Sequence, residues 1–414
     1  MEYRPLPDDR KTQFQDYLHY GFSLEDGPQS DHETDPDERA GEERALFDGD
    51  EMLCVCRHYW FRTRVRGRWC EMPGLSAVAS PPEHRREGNV SRLLAESLAE
   101  YRERGDFLTA LWAFEHPFYE RHGWGLATKF VEYECDPDAL AFTRESPLAG
   151  GTFRKLEADD YDILDSVHAA AHEGYDLAID RTEEWWREKI FDNWRGDPYV
   201  YGWADDAGEV RGYVVYHVRD DDEGKRLQAK ELVAADREAR TNLLRFLANH
   251  DSQVERVSFY DPNETTLLDA ARDPGDVDCE VHPGPMVRVV DVPTAIEALD
   301  YPLDLDAEFT VAVSDPLADW NDGTFRVAVA DGRATCEPTD GPTDGPDGPA
   351  ATDAAVATDS DVTTGIGALS QVFVGYHSVE DAETLADLEI RTPDARDALA
   401  AMFPERDVFL HEGF

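Results

Sequence analysis

The apolar positions along the chain fall into strand-like and helix-like periods. "MEYRPLP" predicts a short strand and "DDRKTQFQDYLHYGF" a helix with Phe14, Tyr17 and Leu18 on one face. "GPQSDHETDPDERAGEE" is an acidic loop, bounded as residues 27–44. "EMLCVCRHYWFRTRVRGRWCEMPGLSAVAS" is strand-rich, with a turn at Arg66-Gly67 and a break at Gly74. "NVSRLLAESLAEYRERG" carries a helical period closed by Gly105. "DFLTALWAF" then predicts a buried strand, "EHPFYERHG" a short helix capped by Gly123, and "ATKFVEYECD" the last strand of this unit.

A second unit begins at "GGTFRKLEADDYDILDSVHAAAHEGY". Its "YVYGWADDAGEVRGYVVYHV" predicts a hairpin around Ala207-Gly208. "LQAKELVAADREARTNLLRFLANHDSQVERVSFYDP" repeats the order strand, helix, strand, a repeat of elements rather than of identities. Its turn has no glycine and carries Asp236 and Glu238 where the first copy has arginine and glycine. An anion held by the first copy is therefore not expected in the second. From about residue 284 helices and strands mix around a low-complexity stretch, residues 337–361, which reads as a mobile surface insertion. The expected domains are 1–145, 146–283 and 284–414, in line with roughly 150 residues per domain.

Composition changes the picture in three ways. The net charge of -49 comes from 89 acidic and 40 basic residues, but 41% of the chain is apolar, so a packed core is expected. An acidic surface poor in Lys is that of a halophilic protein, and it argues against nucleic-acid partners, which need basic patches. No apolar run approaches the roughly 18 residues of a membrane span, and no signal-peptide core opens the chain; a cytoplasmic protein without membrane contact is expected. The six cysteines form no C-x-x-C pairs. Cys54 and Cys56 share one face of a strand and are expected to pack, so no metal site is assigned.

Against that acidity, "VASPPEHRREGNVSRLL" (78–94) sets Arg85 and Arg86 side by side before a glycine and a helix. The first free N–H groups of a helix and its dipole favour an anion. Gly88 lets phosphate oxygens approach the backbone, and arginine can fork onto them. Taken alone, the same stretch also reads as an ordinary strand-to-helix turn.

Arg85-x-x-Gly88, after a strand ending at Val78-Ala79-Ser80, resembles the acetyl-CoA motif of GNAT N-acetyltransferases, with Val90 where many members have Gly or Ala. "FYERHGW" (118–124) resembles their "FYE-x-x-GF" element. With "MVRVVDVPTAIEAL", "GALSQVFVGYHS" and a terminal Phe, nearly the whole chain resembles the Eis family. The resemblance implies an α/β (α+β) fold: two tandem GNAT domains, the second degenerate, then a sterol-carrier-protein-like domain. It implies acetyl-CoA as cosubstrate, bound through Val78, Ala79, Ser80, Arg85, Arg86, Gly88, Asn89 and Val90. It also implies a primary amine acceptor (aminoglycoside-like, polyamine or lysine-type) and a homo-oligomer, with a hexamer as one form.

Tyr119 matches the family's general acid. A Tyr of pKa about 10 protonating a thiolate of about 8.5 works uphill by roughly 2 kcal/mol, within an enzymatic barrier. Phe414 matches the terminal residue whose carboxylate serves as base, and Val408, Phe409 and Leu410 before it suit docking. His116, His122 and Trp124 are expected to pack or lie at the surface. Two other readings stay open: a catalytically silent acetyl-CoA sensor, and a lipid carrier acting through the C-terminal domain.

Overall fold

The computed structural model describes residues 1–24, 27, 40–192, 196–221, 224–262, 265–339 and 360–414. They form two compact units, one made of residues 1–128 with 285–414 and the other of residues 129–284. Among the described residues no helix is long and apolar enough to cross a membrane.

In the first unit, strand β1 (Glu2–Pro5) and helix α1 (Lys11–Phe22) lead into an antiparallel meander of β2 (Glu42–Asp48), β3 (Glu51–Val65) and β4 (Arg68–Ala79). The acidic loop is thus shorter than expected, since residues 42–44 are strand; residues 28–39 lie outside the described part. Arg66 and Gly67 both have positive φ, the two-residue turn whose twist suits a hairpin. Helix α2 (Asn89–Arg104) buries Leu93, Leu94, Leu98 and Tyr101 at helical spacing, with Gly88 and Gly105 left-handed at its ends. Strand β5 (Leu108–Leu111), helix α3 (His116–Glu120) and the short β6 (Gly125–Leu126) follow.

Two expectations fail here. Gly74 does not break its strand: β4 runs through it, because the residue is needed small for a different reason, given below. Strand β7 (Lys129–Cys135) is not the last strand of the first sheet. It pairs with Arg256–Pro262 and Val277–Pro283 in the second unit, where its alternate residues Val131, Tyr133 and Cys135 enter the core. Its place beside β5 is taken by Met286–Val289, four buried residues paired antiparallel to both β5 and β6. The first sheet therefore runs β1-β2-β3-β4-β5, then Met286–Val289, then β6. The two compact units divide near 128 and 285, and the buried Met286–Val289 run fits the interior of the first sheet.

The rest of the first unit is a five-stranded sheet ordered 333–338, 323–330, 307–314, 362–365, 388–390. Helix Ile366–Val374 is buried nearly all round and packs on the first sheet. Its Gln371 donates to the Leu126 carbonyl at 2.9 Å, and its Ser370 hydroxyl accepts from the Val289 amide at 2.8 Å. Arg66, at the β3–β4 turn, donates to the carbonyls of Val372 and Phe373 at the end of this helix. Most of the 337–361 insertion lies outside the described residues.

The second unit is a seven-stranded sheet whose β-hairpin Tyr199–Ala204/Val210–Asp221 turns at Gly208, as expected. Strand Gly224–Ala234, helix Arg237–Ala248 and strand Arg256–Pro262 follow in the order of the first copy.

Candidate active site

The parallel ladder between β4 and β5 holds Gly74 opposite Ala110 and Leu75 opposite Leu111. Beyond that point β4 continues to Ala79 while β5 stops. On its other side β4 slips register against β3: Ser76 faces Arg57, yet Ala79 faces Val55. The extra residue is a bulge, and Ala77 takes a positive φ of 54° to make it. The pairing of β4 with β5 does not continue past Leu75, so Ser76 to Ala79 run on without a β5 partner, a wedge at the open end of the ladder.

The loop leaving β4 shapes the start of α2. The Ser80 hydroxyl donates to the Leu53 carbonyl, and the Ser80 carbonyl accepts from Arg85 Nε at 3.1 Å. The Arg85 guanidinium rests 5.0 Å from the Tyr20 ring centre. Arg86 and Gly88 have positive φ, and both are exposed. A Cβ at Gly88 would meet nothing within 4 Å, so the space in front of the helix start is clear. No side chain caps α2. The Asn89 side chain is turned back instead, its Nδ2 donating to the His84 carbonyl at 3.1 Å, which braces the loop and leaves its backbone amide at the helix end. Val90 packs partly into the same apolar cluster as Val78 and Tyr119.

In the second unit the equivalent helix start is closed. Asp236 caps it by accepting from the Ala239 amide at 3.0 Å, and Arg211 pairs with both Asp236 and Glu238. A carboxylate of the chain itself stands where the first copy leaves free amides.

Tyr119 lies on α3, 2% exposed, with Phe114, Phe118 and Trp124 rings edge-on around it. Burial raises its pKa, with Cys56 adding a smaller push, so proton release is harder than the free side chain suggests. Among the described residues, Phe114 and, beside it, Phe22 are exposed at this corner. His122 ties α3 to α2: its Nδ1–H donates to the Phe118 carbonyl at 2.7 Å, leaving Nε2 to accept from the Ser91 hydroxyl at 2.8 Å. Trp124 is core and His116 begins α3. Burial pushes the Cys54 thiol up to about 12 and Cys56 up as well, so both pack as neutral thiols.

The chain end docks at the wedge. Phe409 and Leu410 are buried, and the Phe414 ring lies 4.9 Å from that of Phe61 and 6.0 Å from that of Tyr59. This explains Gly74: a Cβ there would sit 2.4 Å from Phe61 and 2.9 Å from Phe414. Trp112, one residue past β5, donates its indole N–H to the Glu412 carbonyl at 2.6 Å. The structure thus gathers Val78, Val90 and Tyr119 into one cluster, and sets Phe414 on Tyr59 and Phe61 of β3 and over Gly74 of β4, one residue before the last pair of the ladder. Sequence reasoning missed Trp112 and the Ala77 bulge, neither of which carries a motif.

Family models agree with this layout. Two models, each described as an acetyltransferase (GNAT) domain, match residues 2–127 and 177–289, and a sterol carrier protein domain matches 292–411. The N-acetyltransferase Eis of Mycobacterium tuberculosis is 29% identical over 308 residues, covering 70% of this chain and 72% of that protein. An uncharacterized N-acetyltransferase of Streptomyces griseus is 26% identical over 370 residues, covering 82% and 81%. Among solved structures, Eis1 from Mycobacterium abscessus superposes with a TM-score of 0.74 at 22% identity over all of both chains. A GCN5-related N-acetyltransferase from Anabaena variabilis gives 0.80 at 18%, again over all of both. These two share the fold.

Proposed function

Since the chain is an Eis-like GNAT N-acetyltransferase with tandem GNAT domains and a C-terminal sterol-carrier-like domain, we propose that its first GNAT domain moves acetyl from acetyl-CoA to a primary amine. The observation that carries this is the uncapped start of α2 behind Gly88, beside a sheet that opens at the same level. Gly88 and the amides of Asn89, Val90 and Ser91 suit a pyrophosphate, which a helix N-terminus and its dipole favour. Arg86 adds charge from the exposed loop; Arg85, held by Ser80 and Tyr20, frames the entry.

Acetyl-CoA brings the thioester. A backbone amide of the bulged stretch after Leu75, where β4 runs on past its last pair with β5, is the group to stabilise the carbonyl oxygen as charge develops on it. The amine nitrogen bonds to the carbonyl carbon, the C–S bond breaks, and the thiolate takes the Tyr119 proton. Burial of Tyr119 makes this steeper than for a Tyr in water, but a thiolate formed in the same dry cluster is itself raised, which restores the match. The amine proton leaves towards the Phe414 carboxylate. A normal α-carboxylate near pKa 3.5 would accept it from an amine near 9.5 only at roughly 8 kcal/mol. The carboxylate therefore either gains basicity by desolvation or holds the ammonium while water relays the proton.

The acceptor is an amine of aminoglycoside, polyamine or lysine type, entering past the exposed Phe22 and Phe114. Thiol release from acetyl-CoA with a panel of such amines tests the proposal. Amine-dependent thiol is expected; binding of acetyl-CoA without release under any amine would mark a silent sensor, and lipid on native mass spectrometry would mark a carrier. We also infer a homo-oligomer from the family likeness, to be checked by light scattering.

A further inference from the structure

The last five residues run from one packed residue to another, with Glu412 buried between them. Leu410 is 1% exposed and anchors one side; the Phe414 ring, set on Phe61 over Gly74, anchors the other. Between them Gly413 is exposed and carries no side chain, the residue type with most backbone freedom. A ring contact alone leaves a terminal residue able to pivot about that glycine, so the hold on Glu412, just before it, sets where the chain end lies.

Trp112 supplies one bond of that hold. It follows Leu111, the last β5 residue paired with β4, and its indole N–H reaches the Glu412 carbonyl at 2.6 Å. Indole is a donor only, so the direction of the bond is unambiguous. One contact of the terminus thus comes from β3 and β4, through Phe61 and Gly74, and the other from just past β5, so both lie within a residue or two of the last β4–β5 pair.

We propose that Trp112 is a positioning residue whose indole N–H holds the Glu412 carbonyl and thereby sets Phe414 at the opening between β4 and β5. This rests on the reading of Phe414 as the residue that receives the amine. Trp112 itself touches neither the thioester nor the amine in this account; it acts through the chain end. A displacement of about 1 Å in such a group can cost on the order of a hundredfold in rate.

Trp112→Phe keeps an aromatic ring and removes the donor. Three quantities decide the matter: kcat, KM for acetyl-CoA, and the rate at which a carboxypeptidase releases phenylalanine from the native chain. Trp112→Phe is expected to lower kcat about tenfold or more, leave KM for acetyl-CoA within about twofold, and release Phe414 about tenfold faster. The unchanged KM also reports that the variant is folded. Unchanged kcat, or a lowered kcat with unchanged Phe414 release, would overturn the proposal. A chain lacking Phe414 serves as the separate arm: if it keeps full turnover, the reading of Phe414 itself falls, whereas an inactive truncation beside a normal Trp112→Phe variant removes only Trp112.

Discussion

The guanidinium of Arg288 and the carboxylate of Asp315 meet at 2.6 and 2.7 Å in a place closed to solvent. Arg288 stands on the strand inserted beside β5, and Asp315 follows strand Ala307–Ser314. A further Arg288 bond, at 2.7 Å, goes to the His122 carbonyl just past α3, and its guanidinium lies 5.1 Å from the Trp124 ring centre. Asp315 in turn accepts from the amides of Leu317 and Ala318. The pair ties the C-terminal part of the unit to the helix that carries Tyr119.

Asp315→Ala would leave a buried guanidinium without its counter-charge. Removing one partner of such a pair costs about 3–5 kcal/mol. Urea unfolding should show that loss with an unchanged m-value, and Arg288→Met/Asp315→Ala should recover much of it. Equal stability of the single variant and the parent would mean that the pair is not what holds this corner.

At the cradle, Gly88→Val forces a β-branched residue into a left-handed conformation, and Arg85→Glu reverses the charge at the entry. Both should weaken CoA binding by calorimetry. Arg237→Glu, at the corresponding helix start of the second unit, should leave binding unchanged because Asp236 already fills that end. Comparable losses in both units would contradict the asymmetry.

Tyr119→Phe keeps the ring and removes the proton. Turnover should drop while CoA affinity stays near the parent's. Because burial raises the Tyr119 pKa, the acid stays protonated above pH 10, so no alkaline fall in kcat should appear below that from this residue. A variant that turns over like the parent would take Tyr119 out of the chemistry.

Buried His58 gives a pH signature of stability. Burial lowers its pKa from 6.5 to about 4, against a smaller upward pull from Glu100 and Glu42 and with Arg44 and Arg104 adding to the fall. The unfolded chain binds the proton more readily, so this contribution is full above pH 6.5 and is lost as pH falls towards 4. The whole effect is about 3 kcal/mol. Relative to His58→Gln, the parent should lose about that much stability between pH 7 and 4. A pH-independent difference would show that His58 is not held neutral.

Much of this was legible beforehand, and the failures share a cause. Helix α2 with its two glycine ends, the Arg66-Gly67 turn and the contrast between Gly88 and Asp236 are local, written in residues next to the element they shape. The destination of β7 and the insertion of Met286–Val289 are choices among partners more than a hundred residues apart, which periodicity does not encode. Gly74 looked like a break because its neighbour, Phe414, lies 340 positions away. Trp112 reads as one more core aromatic until the chain end is seen against it.

The most direct test of the account concerns the chain end. A short C-terminal extension buries the Phe414 carboxylate in a peptide bond, whereas an N-terminal tag of the same length leaves it free. Turnover of acetyl-CoA with a saturating amine should be abolished in the C-terminally extended protein, with CoA binding and thermal stability preserved, and retained in the N-terminally tagged one. Equal turnover in the two would contradict the account, leaving Phe414 a docked tail and placing the base elsewhere.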